Sequence, residues 1–182
     1  LAVAEELGAT FPLTHLAASS AGIRMPDARL DFVRFGIAAY GISPFDDIDG
    51  RGLGLIPVMS LTTTVTEVDP QRGTATIGIG FGDGIAAAAL PKAEVLVAGA
   101  RRTVREINVD SSTIEAHDDG RDSIKVGDEV LVFGTGDSGE PTAEEWAGWA
   151  DTIGDELVTQ AATRVPRAYA DHRDNRDEPS DG

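Results

Sequence analysis

Leu30-Asp31-Phe32-Val33-Arg34-Phe35-Gly36-Ile37-Ala38-Ala39-Tyr40-Gly41-Ile42-Ser43-Pro44 is the stretch on which the reading of this chain turns. It is apolar, β-branched and aromatic up to Ala39, carries one arginine, and is then punctuated by glycine, so it predicts a strand running into backbone that can approach a ligand closely. An arginine inside such a strand is either paired, aimed at a site, or placed where its long stem lets the guanidinium reach water. Upstream, Thr14–Ala17 predicts another strand and 19–28 a short helix. Strand, helix, strand is the unit of a parallel barrel or open parallel sheet.

Working outward, residues 1–7 are rich in Ala and Glu, and predict a helix tail capped by Gly8. Phe45–Leu55 is acidic and glycine-rich, and reads as a surface linker. From Pro57 the grammar changes. Long β-branched segments at 59–68 and 74–79, then 94–97, 102–104, 112–115 and 129–133, are separated by short turns, which predicts a small β barrel or sandwich. Thr142 with Glu145 three residues later is a capping box opening a helix. Trp146, Trp149 and Ile153 then fall at helical spacing and read as core anchors. A second short helix is expected over 155–163 and a final strand over 164–169, followed by a charged, disordered tail at 171–182.

Composition narrows the possible functions. Thirty-one acidic residues against fifteen basic ones give a formal net charge of -16. Such a surface repels nucleic-acid phosphates and anionic membranes, which argues against both as partners. It also predicts self-repulsion that added salt relieves. The absence of cysteine removes disulfides and thiolate metal sites. With no apolar run long enough to span a bilayer and no export-like start, a soluble, cytoplasmic protein is expected. His15, His117 and His172 have no ligand-like spacing, so no metal site is expected; Asp118 and Asp119 beside Gly120 read as a turn. Gly80-Phe81-Gly82-Asp83-Gly84 lacks the Lys and Ser/Thr of a phosphate-binding P-loop, and no nucleophile elbow is present.

Six blocks in a fixed order carry a resemblance to a family. Thr14–Ala21 with Arg34–Gly41, Pro57–Leu61, Gly80–Gly84, Lys125–Glu129, Gly139–Thr142 and Arg164–Arg167 resemble the C-terminal part of the alanine racemases that use pyridoxal 5'-phosphate. The resemblance implies an α+β, mainly β chain: the last strands of a TIM-type barrel (1–45, incomplete), a linker (46–56), a small β-barrel-like C-terminal domain (57–170) and the acidic tail. Two barrel strands cannot enclose a core, since a parallel barrel closes with eight. The chain therefore reads either as a fragment or as a β domain with an appendage, and the segment with the family's cofactor-binding lysine is not within it.

What the resemblance implies about the site is uneven. Ser19, Gly36 and Ile37 match the contacts to the cofactor phosphate, and Arg34 matches the arginine facing the pyridine nitrogen. Arginine stays protonated, so it does not hand a proton to that nitrogen. Ala18 stands where asparagine is usual. Val109 replaces a methionine whose backbone meets the substrate carboxylate, Asp110 is kept, and Glu106 reverses a charge. A hairpin-sized segment between Asp69 and Ile77 is missing, and Gly154-Asp155-Glu156 replaces a Tyr-Glu pair. Phe81 occupies the place of the tyrosine base that one subunit lends to its partner's site. Phenylalanine has no proton to exchange, and general acid–base catalysis needs one. The implied parent activity interconverts L- and D-alanine for peptidoglycan precursors in a homodimer, while this chain alone is expected to be inactive. The alternative is a non-catalytic paralogue or assembly module that pairs with a full-length racemase subunit.

Overall fold

A closed six-stranded antiparallel barrel, with strand order β1-β2-β5-β4-β3-β6, dominates the computed structural model, which describes residues 2–116 and 123–170. Its strands are β1 (Leu61–Asp69), β2 (Thr74–Ile77), β3 (Glu94–Val97), β4 (Ala100–Ile107), β5 (Ser112–Glu115) and β6 (Glu129–Phe133). Closure by β1 against β6 leaves no free sheet edge, the solution small β domains use against edge-to-edge association. Val65, Ile77, Val95, Val104, Ile114, Val130 and Val132 are almost fully buried, so the β-branched residues that favour strands also fill the interior. Register shifts between Val65 and Glu67 and between Val104 and Glu106 mark bulges, which bend strands so that a short sheet can close.

Helix α3 (Ala143–Ala150) packs against this barrel. Thr142 Oγ1 accepts the Glu145 N–H at 3.2 Å and the Glu145 carboxylate accepts the Thr142 N–H at 2.8 Å, the reciprocal cap its sequence predicts. Trp146 is fully buried and its Nε1–H donates to the Val132 carbonyl at 2.7 Å, joining helix to strand. Trp149 meets Trp146 edge-on, with ring centroids 5.8 Å apart. Ile153, expected as a third anchor, is 59% exposed. The helix stops at Asp151 in a left-handed conformation, which breaks the spacing before Ile153; that residue then precedes helix α4 (Gly154–Thr159). Residues 164–169 form no strand: Pro166 has no N–H to give a ladder, and Arg164 turns back to Asp83.

Helix α1 (Ala2–Glu6) ends before Gly8, whose φ is +80°, as expected. Helix α2 (Ser19–Arg24) sits between two extended segments that run parallel, but these join at one bridge only, Ala18 to Arg34. The ladders anticipated over 14–17 and 30–39 are thus shorter than their sequences suggest. Leu30 has a φ of +50°, breaking the extended backbone at its start, and Ile37–Tyr40 closes into a 3-10 turn. With no strand among the described residues on either flank, a single parallel pairing has few hydrogen bonds to sustain it. His117, Asp118, Asp119, His172 and the expected tail lie outside the described residues. No helix among the described residues is long and apolar enough to cross a membrane.

Candidate functional site

Ser19, Arg34, Gly36 and Ile37 line one cavity of about 670 Å³. Ser19 is buried at the first position of α2, and its Oγ accepts the Gly36 N–H at 3.1 Å and the Ala38 N–H at 3.4 Å. Both backbone N–H groups are spent on the Ser19 oxygen, which fixes that side chain and leaves its O–H free to donate to an anion such as a phosphate. A Cβ added to Gly36 would meet nothing within 4 Å, so the space in front of this backbone is open. Arg34 is exposed, and its Nη2 donates to the Leu16 carbonyl at 3.4 Å. Arg34 is thus exposed and also among the residues that line the cavity.

The chain's two lysines, Lys92 and Lys125, do not line this cavity.

Phe81, Val109 and Asp110 belong to a second cluster and do not line that cavity. Phe81–Asp83 forms a 3-10 turn whose Phe81 N–H donates to Asn108 O at 2.8 Å, while Gly82 N–H donates to Val109 O at 2.7 Å. The approach is close enough that a Cβ at Gly80 would lie 2.2 Å from the Asn108 oxygen, so this position needs glycine. Phe81 and Val109 present 51% and 55% of their surface to solvent, side by side on adjoining backbone. The Val109 carbonyl is engaged from within the chain, by Gly82 and by Arg164 Nη2 at 3.3 Å.

Asp83 holds this turn in place, and the sequence did not single it out for that task. Its Oδ2 accepts the Gly80 N–H at 2.9 Å and its Oδ1 accepts the Arg164 Nε–H at 2.7 Å. Arg164 comes from a segment 81 residues further along. Both residues lie inside blocks quoted above, but their pairing has no local signature.

A third set of contacts also escaped the sequence. The stretch read as a linker is a fastened loop: Glu144 on α3 accepts N–H groups from Ser43 and Gly50, and Arg24 binds Asp47 through both carboxylate oxygens. Elsewhere His15 stacks against Phe32 with centroids 4.5 Å apart. Among the described residues, no group of three or more His, Cys, Asp or Glu is arranged to hold a metal ion.

Comparison with known proteins gives a consistent result. The family model described as "Alanine racemase, C-terminal domain" matches residues 59–169. The chain is 38% identical to the alanine racemase of Thermobifida fusca, over 93% of this chain and 49% of that protein. To the alanine racemase of Streptomyces coelicolor it is 39% identical, over 92% of this chain and 47% of that protein. Among solved structures, the alanine racemase from D-cycloserine-producing Streptomyces lavendulae superposes with a TM-score of 0.84 at 34% identity, over 93% of this chain and 49% of that one. The Streptomyces coelicolor enzyme gives 0.79 at 38% identity, over 92% and 48%. The chain thus spans about half the length of the relatives it matches.

Proposed function

The chain belongs to the alanine racemase family, matching its C-terminal domain, and from that premise we propose that it binds the phosphate end of pyridoxal 5'-phosphate but does not by itself racemise alanine. Residues 1–45 are, on this reading, the closing part of the cofactor barrel, 46–56 the connection, and 57–170 the β domain. The parent activity is interconversion of L- and D-alanine in a homodimer.

The observation that carries the reading is the convergence of the Gly36 and Ala38 N–H groups on Ser19 Oγ at the open cavity. The Ser19 hydroxyl, its oxygen held by those two N–H groups, would donate to the phosphate. Arg34, permanently protonated and lining the same cavity, would supply a cation and hydrogen-bond donor. The chemistry a bound pyridoxal ring supplies is electron withdrawal from the α-carbon, which makes its proton easier to remove. Racemisation then needs a proton acceptor on one face of that carbon and a donor on the other. Phe81 has no ionisable group, and neither lysine lines the cavity, which supports inactivity of the chain on its own.

The test uses the purified chain freed of host racemase, supplied with D-alanine and pyridoxal 5'-phosphate. No measurable L-alanine is expected, and sustained turnover overturns the assignment. An absorbance titration with pyridoxal 5'-phosphate should show weak binding relieved by inorganic phosphate, because both use the same donors. Binding unaffected by phosphate refutes the cradle.

A second reading is favoured by the exposure of Phe81 beside Val109 on the β domain: an assembly module that pairs with an intact racemase subunit. Co-elution with such a subunit on size exclusion supports it, and separate elution refutes it.

A further inference from the structure

The loop from Ser43 to Gly50 forms one wall of the cavity, with Phe45, Asp46, Ile48 and Asp49 on its surface. Glu144, in the first turn of α3, holds both ends of it. Its Oε1 accepts the Ser43 N–H at 2.8 Å and the Gly50 N–H at 3.0 Å, and its Oε2 accepts the Gly50 N–H at 3.3 Å. The loop's neck has no slack: a Cβ at Gly50 would lie 2.4 Å from the Gly41 oxygen, and one at Gly41 (φ +80°) would lie 2.1 Å from the Ile56 oxygen. On the other side Arg24 Nη2 grips the two oxygens of Asp47 at 2.7 and 2.8 Å, and its guanidinium carbon lies 3.6 Å from the centroid of the Phe45 ring. Arg24 is the last residue of α2, and Ser19 is the first. A continuous set of contacts therefore runs from α3, on the β barrel, through the loop and α2 to the donors at Gly36 and Ala38.

We propose that Glu144 is a positioning residue that clamps the 43–50 loop and so sets the shape of the cavity that receives the phosphate group. The inference deepens the cofactor reading and rests on it for the identity of the ligand, but the clamp itself is independent of any ligand. Both short hydrogen bonds end on one oxygen. A glutamine, with its carbonyl oxygen in that place, reproduces them; an aspartate, one methylene shorter, cannot span both ends. A carboxylate acting only as charge at the start of α3 predicts the opposite order, because aspartate keeps the charge and glutamine loses it.

The experiment compares the wild-type chain, Glu144→Gln and Glu144→Asp, after circular dichroism has established folding. The first readout is the rate of tryptic cleavage after Arg51, whose side chain is 69% exposed immediately beyond the loop. Cleavage follows the population of the opened loop when reclosing is fast. Glu144→Asp should be cut about tenfold faster, and Glu144→Gln within about threefold of wild type. The second readout is the dissociation constant for pyridoxal 5'-phosphate, which should rise about tenfold in Glu144→Asp and stay near wild type in Glu144→Gln. Wild-type digestion of Glu144→Asp, or glutamine behaving worse than aspartate, overturns the clamp. Should the aspartate variant not fold, Glu144→Ala takes its place: cleavage faster than in Glu144→Gln upholds the clamp and wild-type cleavage refutes it. A wild-type chain that binds no pyridoxal 5'-phosphate refutes the cofactor reading, while the digestion arm still decides the clamp.

Discussion

Replacing Asp83 by alanine removes the acceptor that organises the turn on which Phe81 is displayed. Two effects add. The Gly80 N–H, on a buried residue, loses its partner, and an unsatisfied buried donor costs about 1 to 3 kcal/mol. The Arg164 ion pair is also lost, but Arg164 is 51% exposed, so solvent screening limits that part to about 1 kcal/mol or less. A total of about 1 to 4 kcal/mol corresponds to a fall in Tm of about 2 to 16 °C for a chain of this size. Arg164→Ala should cost about 1 kcal/mol, and Asp83→Asn a similar amount, since its amide oxygen still accepts from Gly80. Thermal and urea unfolding of the three variants provide the comparison. If Asp83→Ala costs no more than Arg164→Ala, the Gly80 hydrogen bond contributes nothing and the reasoning fails.

Trp146→Phe removes the indole donor to Val132 and part of a fully buried ring, and should lower stability by about 1 to 3 kcal/mol with an unchanged urea m-value. For Glu140, burial pushes the carboxyl pKa up, but its own backbone N–H, the N–H groups of Gly136 and Ser138 and the Thr135 hydroxyl outweigh it, leaving the pKa below its ordinary 4.5. A depressed folded-state pKa stabilises above the unfolded value and is lost as pH falls through the folded one, so Glu140→Gln should flatten the decline of Tm below about pH 4.5. The net charge of -16 predicts that Tm rises between low and molar salt; an unchanged Tm refutes self-repulsion as a significant load.

The barrel was readable from the sequence because its code is local: β-branched runs separated by turns, each strand short and its register forced by burial on one face. The cap of α3 was readable for the same reason, since Thr142 and Glu145 lie within one turn. Where the reading went astray, the deciding partner was distant or missing from the ladder. Leu30–Ala39 has the composition of a strand, yet a parallel strand is made by neighbours on both sides, and here it keeps one bridge. Ile153 sits at a helical interval that the left-handed Asp151 interrupts. The three carboxylates that organise loops, Asp83, Glu140 and Glu144, look like ordinary surface acids in sequence. For Asp83 and Glu140 the N–H donors lie within four residues, but only the fold brings Arg164 to Asp83 and, to Glu144, backbone N–H groups from residues 94 and 101 positions away.

Those carboxylates also explain how so acidic a chain keeps irregular segments in order. A carboxylate accepts several hydrogen bonds at once, so each of the three ties down backbone that no ladder satisfies: the turn at Gly80, the tight loop at 135–138, and both ends of the 43–50 loop. Two of these hubs flank the groups relevant to chemistry, one behind Phe81 and one beside the Ser19 cradle. Ser19 and the Phe81 turn do not line one cavity, so on the proposed reading Phe81→Tyr alone is expected to give the single chain no turnover of alanine. On that reading, a proton-carrying side chain at position 81 would act only on a ligand held by a second subunit, and turnover by an isolated Phe81→Tyr chain refutes it.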